Sequence, residues 1–198
     1  LKGREIFLAN VPDYAGEDVS DHALALLLDC ARLISRKDRH VRQGEWNLTG
    51  LQPVHLIRGR VLGLVGYGAI ARMVHRKLSG FALGRVLVHD PFVPKDAVQQ
   101  AGAEAVDRET LLAESDYISL HAPVLPSTRG MIGAAQFARM KRSAILINTA
   151  RGPLIDEAAL VEALRAGRIA CAGLDVYQKE PLPADHPLRQ LDNVTLVD

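Results

Sequence analysis

Residues 60–90 read RVLGLVGYGAIARMVHRKLSGFALGRVLVHD, and this stretch decides the fold. Its first run, RVLGLVG over 60–66, is almost continuously apolar, as expected of a strand buried on both faces. The run breaks at glycines and passes into AIARMVHRKLSGF, a stretch long enough to be a crossover helix. A second apolar run, GRVLVHD over 84–90, follows. Strand, helix and strand in this order form a parallel unit, because parallel neighbours cannot be joined by a tight turn.

The break between the first strand and the helix is chemically informative. Gly66, Gly68 and Ala71 stand at G-x-G-x-x-A spacing. The first glycine permits a tight turn, the second lets backbone approach a pyrophosphate, and the small third residue lets helix and strand pack closely. An anion would then rest on unpaired N–H groups at a helix N-terminus. Gly66, Tyr67, Gly68, Ala69 and Ile70 are therefore candidate cofactor contacts. A strand-to-helix turn that uses glycine for backbone reasons alone is the plainer alternative. Asp90 closes the second strand, 19 residues beyond Ala71, where an acid can accept both ribose hydroxyls of an adenosine and repel a 2′-phosphate. No arginine directly follows it, since the sequence continues DPFVPK, so NAD is favoured over NADP. The competing role for Asp90 is to cap the turn before Pro91.

Outward from this unit the alternation continues. Strands are expected at 116–123, 144–150, 169–176 and 193–197, with helices at RETLLAES, AAQFARMK and DEAALVEALRAG, the last ending at Gly167. The fold class is α/β, a Rossmann-type doubly wound parallel sheet in three α/β/α layers. Ahead of it, residues 16–42 read as one long helix capped by Ser20 or an acidic neighbour, with an apolar stripe at Ala23, Leu24, Leu27, Leu28, Ala31 and Ile34. Residues 1–58 are thus expected to form an arm of N-terminal strand, helix and linker, and 59–198 the core.

The composition narrows the function. At 198 residues, 48% hydrophobic and 24% charged, the chain can bury one sizeable core and is not a disordered sequence. Its 24 basic and 23 acidic side chains leave a net charge of +1, which creates no field to draw in a phosphate backbone or anionic lipid. No nucleic-acid, membrane or metal partner is expected, and the basic stretch RLISRKDRHVR over 32–42 reads as a solvated helix face. Cys30 and Cys171, each in an apolar stretch, suit buried thiols in a reducing cytoplasm rather than a disulfide framework. No run approaches the roughly 18 apolar residues needed to span a bilayer. Both ends read as cuts in a longer polypeptide: Lys2-Gly3-Arg4 leads straight into IFLAN, and NVTLVD stops on a strand.

Ligands of open parallel sheets bind beyond the carboxyl ends of the strands. Three of those ends are chemically loaded: His121-Ala122-Pro123, Asn148-Thr149-Ala150-Arg151-Gly152, and Asp175 with Glu180. Arg151, between two small residues that leave room for a ligand, can bind a carboxylate or carbonyl oxygen bidentately. Its bland alternative is a surface pair with Asp156 or Glu157. Glu180 in YQKEPLP reads equally as an exposed loop acid, since a catalytic glutamate needs a histidine partner. None of His22, His40, His55, His75, His89, His121 and His186 is obviously placed to be that partner.

Together, VPDYAGEDVSDHALALLL, GLVGYGAIA, VHDPF, LHAPVLPSTRGMI, INTARGPLIDEAAL, GRIACAGLDVYQKEPLP and HPLRQLDNVTLV resemble the D-isomer-specific 2-hydroxyacid dehydrogenases almost end to end. VPDY, the DHALALLL helix and LIRG are most similar to the phosphoglycerate-dehydrogenase-like and C-terminal-binding-protein-like branches. The resemblance implies the nucleotide-binding domain of a two-domain oxidoreductase that moves hydride between NAD(H) and a 2-keto or D-2-hydroxy acid. It implies that Arg151 binds the substrate carboxylate and carbonyl, and that Glu180 is the acid of a Glu–His pair. Asp175 would hold the nicotinamide side, and His121, Ala122, Pro123, Thr128, Thr149 and Ala150 would line the cofactor. It further implies a homodimer built through residues 17–46, a substrate domain outside this chain, and a catalytic histidine directly after Asp198. Without those parts the chain is expected to bind NAD and reduce little. An NAD-sensing, co-repressor-like binding protein is the alternative within the family, and a methyltransferase using a similar glycine loop is the alternative outside it.

Overall fold

The computed structural model describes residues 9, 11, 14–46, 54 and 56–198. The proposed strand IFLAN, much of the linker and His55 lie outside the described residues. The six other expected strands are present: β1 (Val61–Val65), β2 (Arg85–His89), β4 (Tyr117–Leu120), β5 (Ile145–Asn148), β6 (Cys171–Leu174) and β7 (Val194–Leu196). Between β2 and β4 in the chain lies a strand the pattern did not reveal, β3 (Glu104–Ala105). At two residues, one of them an exposed acid, it has no apolar run to betray it. All neighbours are parallel, in the order β3-β2-β1-β4-β5-β6-β7. The order reverses between β1 and β4, and there the outgoing loops diverge and leave a crevice.

The strand side chains alternate between two cores, one on each face. Leu62, Leu64, Ile145 and Ile147 join α1 (Gly16–Arg32), α3 (Ala69–Leu78) and α4 (Lys95–Gln100) on one face. Val65, Ile118, Leu120 and Leu146 join α5 (Arg108–Glu114), α6 (Ala134–Arg139) and α7 (Glu157–Arg165) on the other. This is the expected three-layer arrangement. Helix α7 starts on the Asp156 carboxylate, which accepts the Ala159 N–H at 3.1 Å, and is followed by Gly167 in the left-handed region, φ 58°.

The N-terminal helix departs from expectation in three ways. It is two helices, α1 and α2 (Ile34–Arg42), broken at Leu33, whose φ of 57° ends the first helix while its side chain stays buried. Asp29 holds the break by accepting the Ser35 N–H at 2.7 Å and hydroxyl at 2.9 Å. The buried stripe centres on Ala23, Leu26, Leu27, Cys30 and Ala31, while Ile34, beyond the break, is exposed. Ser20 is not the cap, for it lies one turn inside the helix and donates to the Glu17 carbonyl at 2.9 Å. Lys77 of α3 clamps α1 to α3, reaching Asp21 at 2.6 Å and Glu17 at 2.7 Å and holding the Glu17 carboxyl below its ordinary range. Helix α2 buries none of its side chains, so the basic stretch is indeed a solvated face. Cys30 and Cys171 are buried and unpaired.

Candidate active site

The glycine loop leaves β1 at Gly66, where φ is 88° and an added Cβ would lie 2.8 Å from the His121 backbone. Only glycine satisfies both demands. Gly68 is the N-cap of α3, with no side-chain cap and no acid in the first turn, so the first N–H groups of the helix point into open space. A Cβ on Gly68 would meet nothing within 4 Å. Tyr67, named above as a cofactor contact, instead turns its side chain into the core. It is 1% exposed, its hydroxyl pairs with His75 Nδ1 at 2.8 Å, and Arg72 stacks 4.5 Å above its ring.

Gly68, Ala69, Ile70 and Ala71 form one wall of a cleft of about 400 Å³; His121, Ala122, Pro123 and Val124 form a second, and Thr149, Ala150 and Arg151 a third. Val19 of α1 closes one side. Asp90 stands one strand away, at the end of β2. It both caps and braces: Oδ2 accepts the Tyr67 N–H and Oδ1 the Phe92 N–H, each at 2.8 Å. Each oxygen keeps a further lone pair for a hydroxyl. Burial pushes the His121 imidazole down to about 4, so it is neutral at physiological pH, with Ser119 Oγ 2.9 Å from Nε2. Thr128, another expected contact, lies outside the lining. Its hydroxyl accepts the Leu125 N–H at 2.7 Å and donates to the Pro123 carbonyl at 2.6 Å, which shapes the loop that forms the second wall.

Arg151 is set by a residue that the reading of strand ends quoted but gave no role. Asn148, fully buried, donates from Nδ2 to the Arg151 carbonyl at 3.0 Å and accepts the Ala150 N–H at 3.1 Å. The surface-pair alternative for Arg151 fails. Asp156 caps α7, Glu157 accepts the Gln178 N–H and lies 3.4 Å from His186, and among the described residues no carboxylate pairs with Arg151. Its guanidinium donates only to the Ala150 carbonyl, at 2.6 Å.

Asp175 and Glu180 line a second recess, of about 690 Å³, with Tyr177, Arg189 and the end of β7. Glu180 Oε1 accepts the Tyr177 N–H at 2.9 Å, and the Tyr177 hydroxyl donates to the Val197 carbonyl at 2.7 Å. Burial raises that phenol to about 12, so it stays a donor. The loops of Arg151 and Glu180 touch through Gly152, and here the expectation that a small residue leaves room for a ligand is corrected. Gly152 is buried, and an added Cβ would stand 1.9 Å from the Tyr177 carbonyl oxygen. Its smallness serves the fit of one backbone against another. A second residue without an assigned role is His22 of α1, whose Nε2 lies 3.1 Å from Asp175 Oδ1.

A family model described as D-isomer specific 2-hydroxyacid dehydrogenase, NAD binding domain, matches residues 24–197. The chain belongs to that family. It is 44% identical over 196 residues to a glyoxylate reductase of Korarchaeum cryptofilum, covering 98% of this chain and 59% of that one. To a D-3-phosphoglycerate dehydrogenase of Archaeoglobus fulgidus it is 43% identical over 191 residues, covering 96% of this chain and 36% of the relative. The crystal structure of D-lactate dehydrogenase with NAD+ from Lactobacillus jensenii superposes with a TM-score of 0.85 at 34% identity, over 95% of this chain and 60% of that one. The chain thus spans less than two thirds of the length of these 2-hydroxyacid dehydrogenases.

The cleft of this NAD-binding domain suits its cofactor. The uncapped turn of α3 and the space at Gly68 fit a pyrophosphate, and Asp90 has acceptor capacity left for a ribose. Thr149 Oγ1, buried in the third wall without a partner among the described residues, is a polar atom waiting for one. Among the described residues no helix is long and apolar enough to cross a membrane, and no cluster could hold a metal.

Proposed function

We propose that the intact protein reduces a small 2-keto acid to the D-2-hydroxy acid with NADH, and runs the reverse reaction with NAD+. The reading is carried by Arg151, which stands at a strand end beside the cofactor cleft with no acid among the described residues to neutralise it. Bound NADH supplies the two electrons and one hydrogen of the reduction. Arg151 would bind the substrate carboxylate bidentately and stabilise negative charge as it develops on the keto oxygen. Glu180, oriented by the Tyr177 N–H, would hold the charged form of the imidazole that is expected to follow Asp198, and that imidazole would deliver the proton. Asp175, at the end of β6, would face the nicotinamide. Gly66, Tyr67, Gly68, Ala69, Ile70, Asp90, His121, Ala122, Pro123, Thr128, Thr149 and Ala150 would hold the cofactor, Tyr67 through its main chain and Thr128 from the loop it shapes.

In this reading residues 1–58 form an arm whose first helix covers one face of the sheet, and 59–198 form the nucleotide-binding core. The arm supports a homodimer through residues 17–46, because Ile34, Val41 and Trp46 are 57%, 47% and 85% exposed. The two buried free thiols fit a reducing compartment, and we place the protein in the cytoplasm.

The deciding experiment is an assay of the intact protein with NADH and a panel of glyoxylate, hydroxypyruvate, 3-phosphohydroxypyruvate and pyruvate, beside R151K. NADH oxidation with at least one acid, cut by about two orders of magnitude in R151K through loss of the bidentate fork, is the expected result. No turnover with any acid, combined with NADH-driven dimerisation in light scattering, would replace the enzyme by a sensor.

A further inference from the structure

His22 is the one histidine of α1, and the apolar stripe alone gives no reason for it. The helix is fixed in place by the Lys77 clamp to Glu17, five residues before His22, and to Asp21, directly before it. That clamp sets His22 over the carboxyl end of β6, with Nε2 sealed from solvent and 3.1 Å from Asp175 Oδ1. The approach lacks the alignment of a hydrogen bond, so what joins the two groups is charge and proximity. The side chains are 40% and 26% exposed, so the pair is weakened by solvent but not erased.

The other charges around this pair come from every neighbouring element. On α1 itself they are Asp18, one turn before His22, and Asp21, whose charge Lys77 of α3 already matches. From the loop after β5 comes Arg151, which shares the cofactor cleft with Val19; the recess of Asp175 is lined as well by Glu180, by Arg189 and, at the end of β7, by Asp198. Among the described residues, His22 is the only cation paired with Asp175.

We infer that His22 is a positioning residue that balances the charge of Asp175 and thereby sets the preference of the site between oxidised and reduced cofactor. The inference rests on the reading that Asp175 faces the nicotinamide. The nicotinamide ring is cationic in NAD+ and neutral in NADH, and an unbalanced carboxylate beside it favours the cation. A protonated His22 cancels that carboxylate and removes the advantage of NAD+. A neutral His22 leaves the carboxylate exposed to the ring. The ratio Kd(NAD+)/Kd(NADH) is therefore higher with His22 protonated than with it neutral. The adenosine half of the cofactor, held by Asp90 four strands away, does not sense the change.

The test is titration calorimetry of the intact protein with NAD+, NADH and ADP-ribose at about pH 5.5 and pH 8.5, either side of the ordinary histidine range, for wild type, H22Q and D175N. The wild-type ratio should change about three- to fivefold between the two pH values, the scale of one partly exposed charge pair. The change should be smaller in H22Q than in wild type, the remainder being that of the imidazole expected beside Glu180; D175N should weaken NAD+ more than NADH at pH 8.5; and ADP-ribose affinity should be unchanged by H22Q at either pH. A flat wild-type ratio, or the wild-type slope persisting in H22Q, overturns the inference. Equal losses of NAD+ and NADH affinity in D175N at pH 8.5 would show that Asp175 does not act on the charge of the ring, which also overturns it. Failure of all three ligands to bind would instead strike the NAD-site reading itself.

Discussion

Gly152→Ala tests whether the two reactive loops form one mechanical unit. The new methyl would stand 1.9 Å from the Tyr177 carbonyl oxygen, 2.0 Å from its carbon and 2.6 Å from the Gln178 nitrogen. To reach even a crowded 3.0 Å, the two backbones must separate by at least 1.1 Å, the difference between 3.0 and 1.9. No rotamer change relieves the clash, because every atom involved is main chain. Overpacking of this kind costs about 3 kcal/mol, the upper end of its usual range, and in a domain of this size that lowers Tm by about 6–12 °C. The movement passes to the Tyr177 N–H and so to Glu180, on one side, and to Arg151 on the other. A displacement of about 1 Å in positioned groups costs on the order of a hundredfold in turnover. The pyrophosphate and ribose cradle at Gly68 and Asp90 lies on other loops, so ADP-ribose affinity in G152A should stay within about threefold of wild type, below the cost of one lost hydrogen bond. Differential scanning calorimetry, ADP-ribose titration and steady-state kinetics on the intact protein would check all three. A variant that melts within 2 °C of wild type, a shift smaller than about 1 kcal/mol would cause, refutes the argument.

Replacing Asp90 by alanine should weaken NADH binding by about ten- to a hundredfold, the range for losing hydrogen bonds to a charged acceptor, without making NADPH a good ligand. The reason is that the Tyr67 and Phe92 N–H groups lose their acceptor at the same time; tight NADPH binding by D90A, measured by titration, would contradict it. His121 makes stability depend on pH. Its folded-state pKa is depressed from 6.5 to about 4, so the unfolded chain takes up the proton first and stability falls as pH drops from 6.5 towards 4. The loss is at most about 3 kcal/mol. Urea unfolding at neutral and acid pH should show this slope in wild type and a shallower one in H121Q; equal slopes would refute it. In Y177F the hydrogen bond to the Val197 carbonyl disappears. That should lower Tm by about 2–4 °C, equivalent to about 1 kcal/mol, and leave ADP-ribose affinity unchanged; an unshifted melt would show that β7 is held without it.

What the sequence disclosed follows from what is local. Six strands and the glycine loop were legible because a two-sided strand is a run of apolar residues and a tight strand-to-helix turn needs glycine at fixed offsets. The set of cleft residues was legible because strand ends in an open parallel sheet converge. Glu104–Ala105 was too short to carry a period. The break at Leu33 was hidden because leucine is a good helix former, and nothing nearby shows that Asp29 will take Ser35. Gly152 was misread because a glycine next to a reactive arginine suggests space for a ligand, whereas the contact that demands it comes from residue 177 in another loop. His22 was passed over for a similar reason, since its neighbour Asp175 is far along the chain.

These long-range contacts share a pattern that bears on how the site is built. The residues proposed to act on cofactor and substrate are held by main-chain groups and buried polar side chains rather than by opposing charges. Asn148 holds the Arg151 carbonyl, the Tyr177 N–H holds Glu180, and two backbone N–H groups hold Asp90. A guanidinium restrained in this way keeps its charge free for a ligand, which a salt bridge would not allow. Where an opposing charge is used, between His22 and Asp175, one partner is an imidazole, whose charge is withdrawn when it loses a proton. The helix that carries His22 belongs to the arm, and Val19 of the same helix closes the cofactor cleft. The arm therefore reaches the site at two points, and any movement of α1, including one imposed by a second subunit on residues 17–46, would be felt at both the cofactor and Asp175.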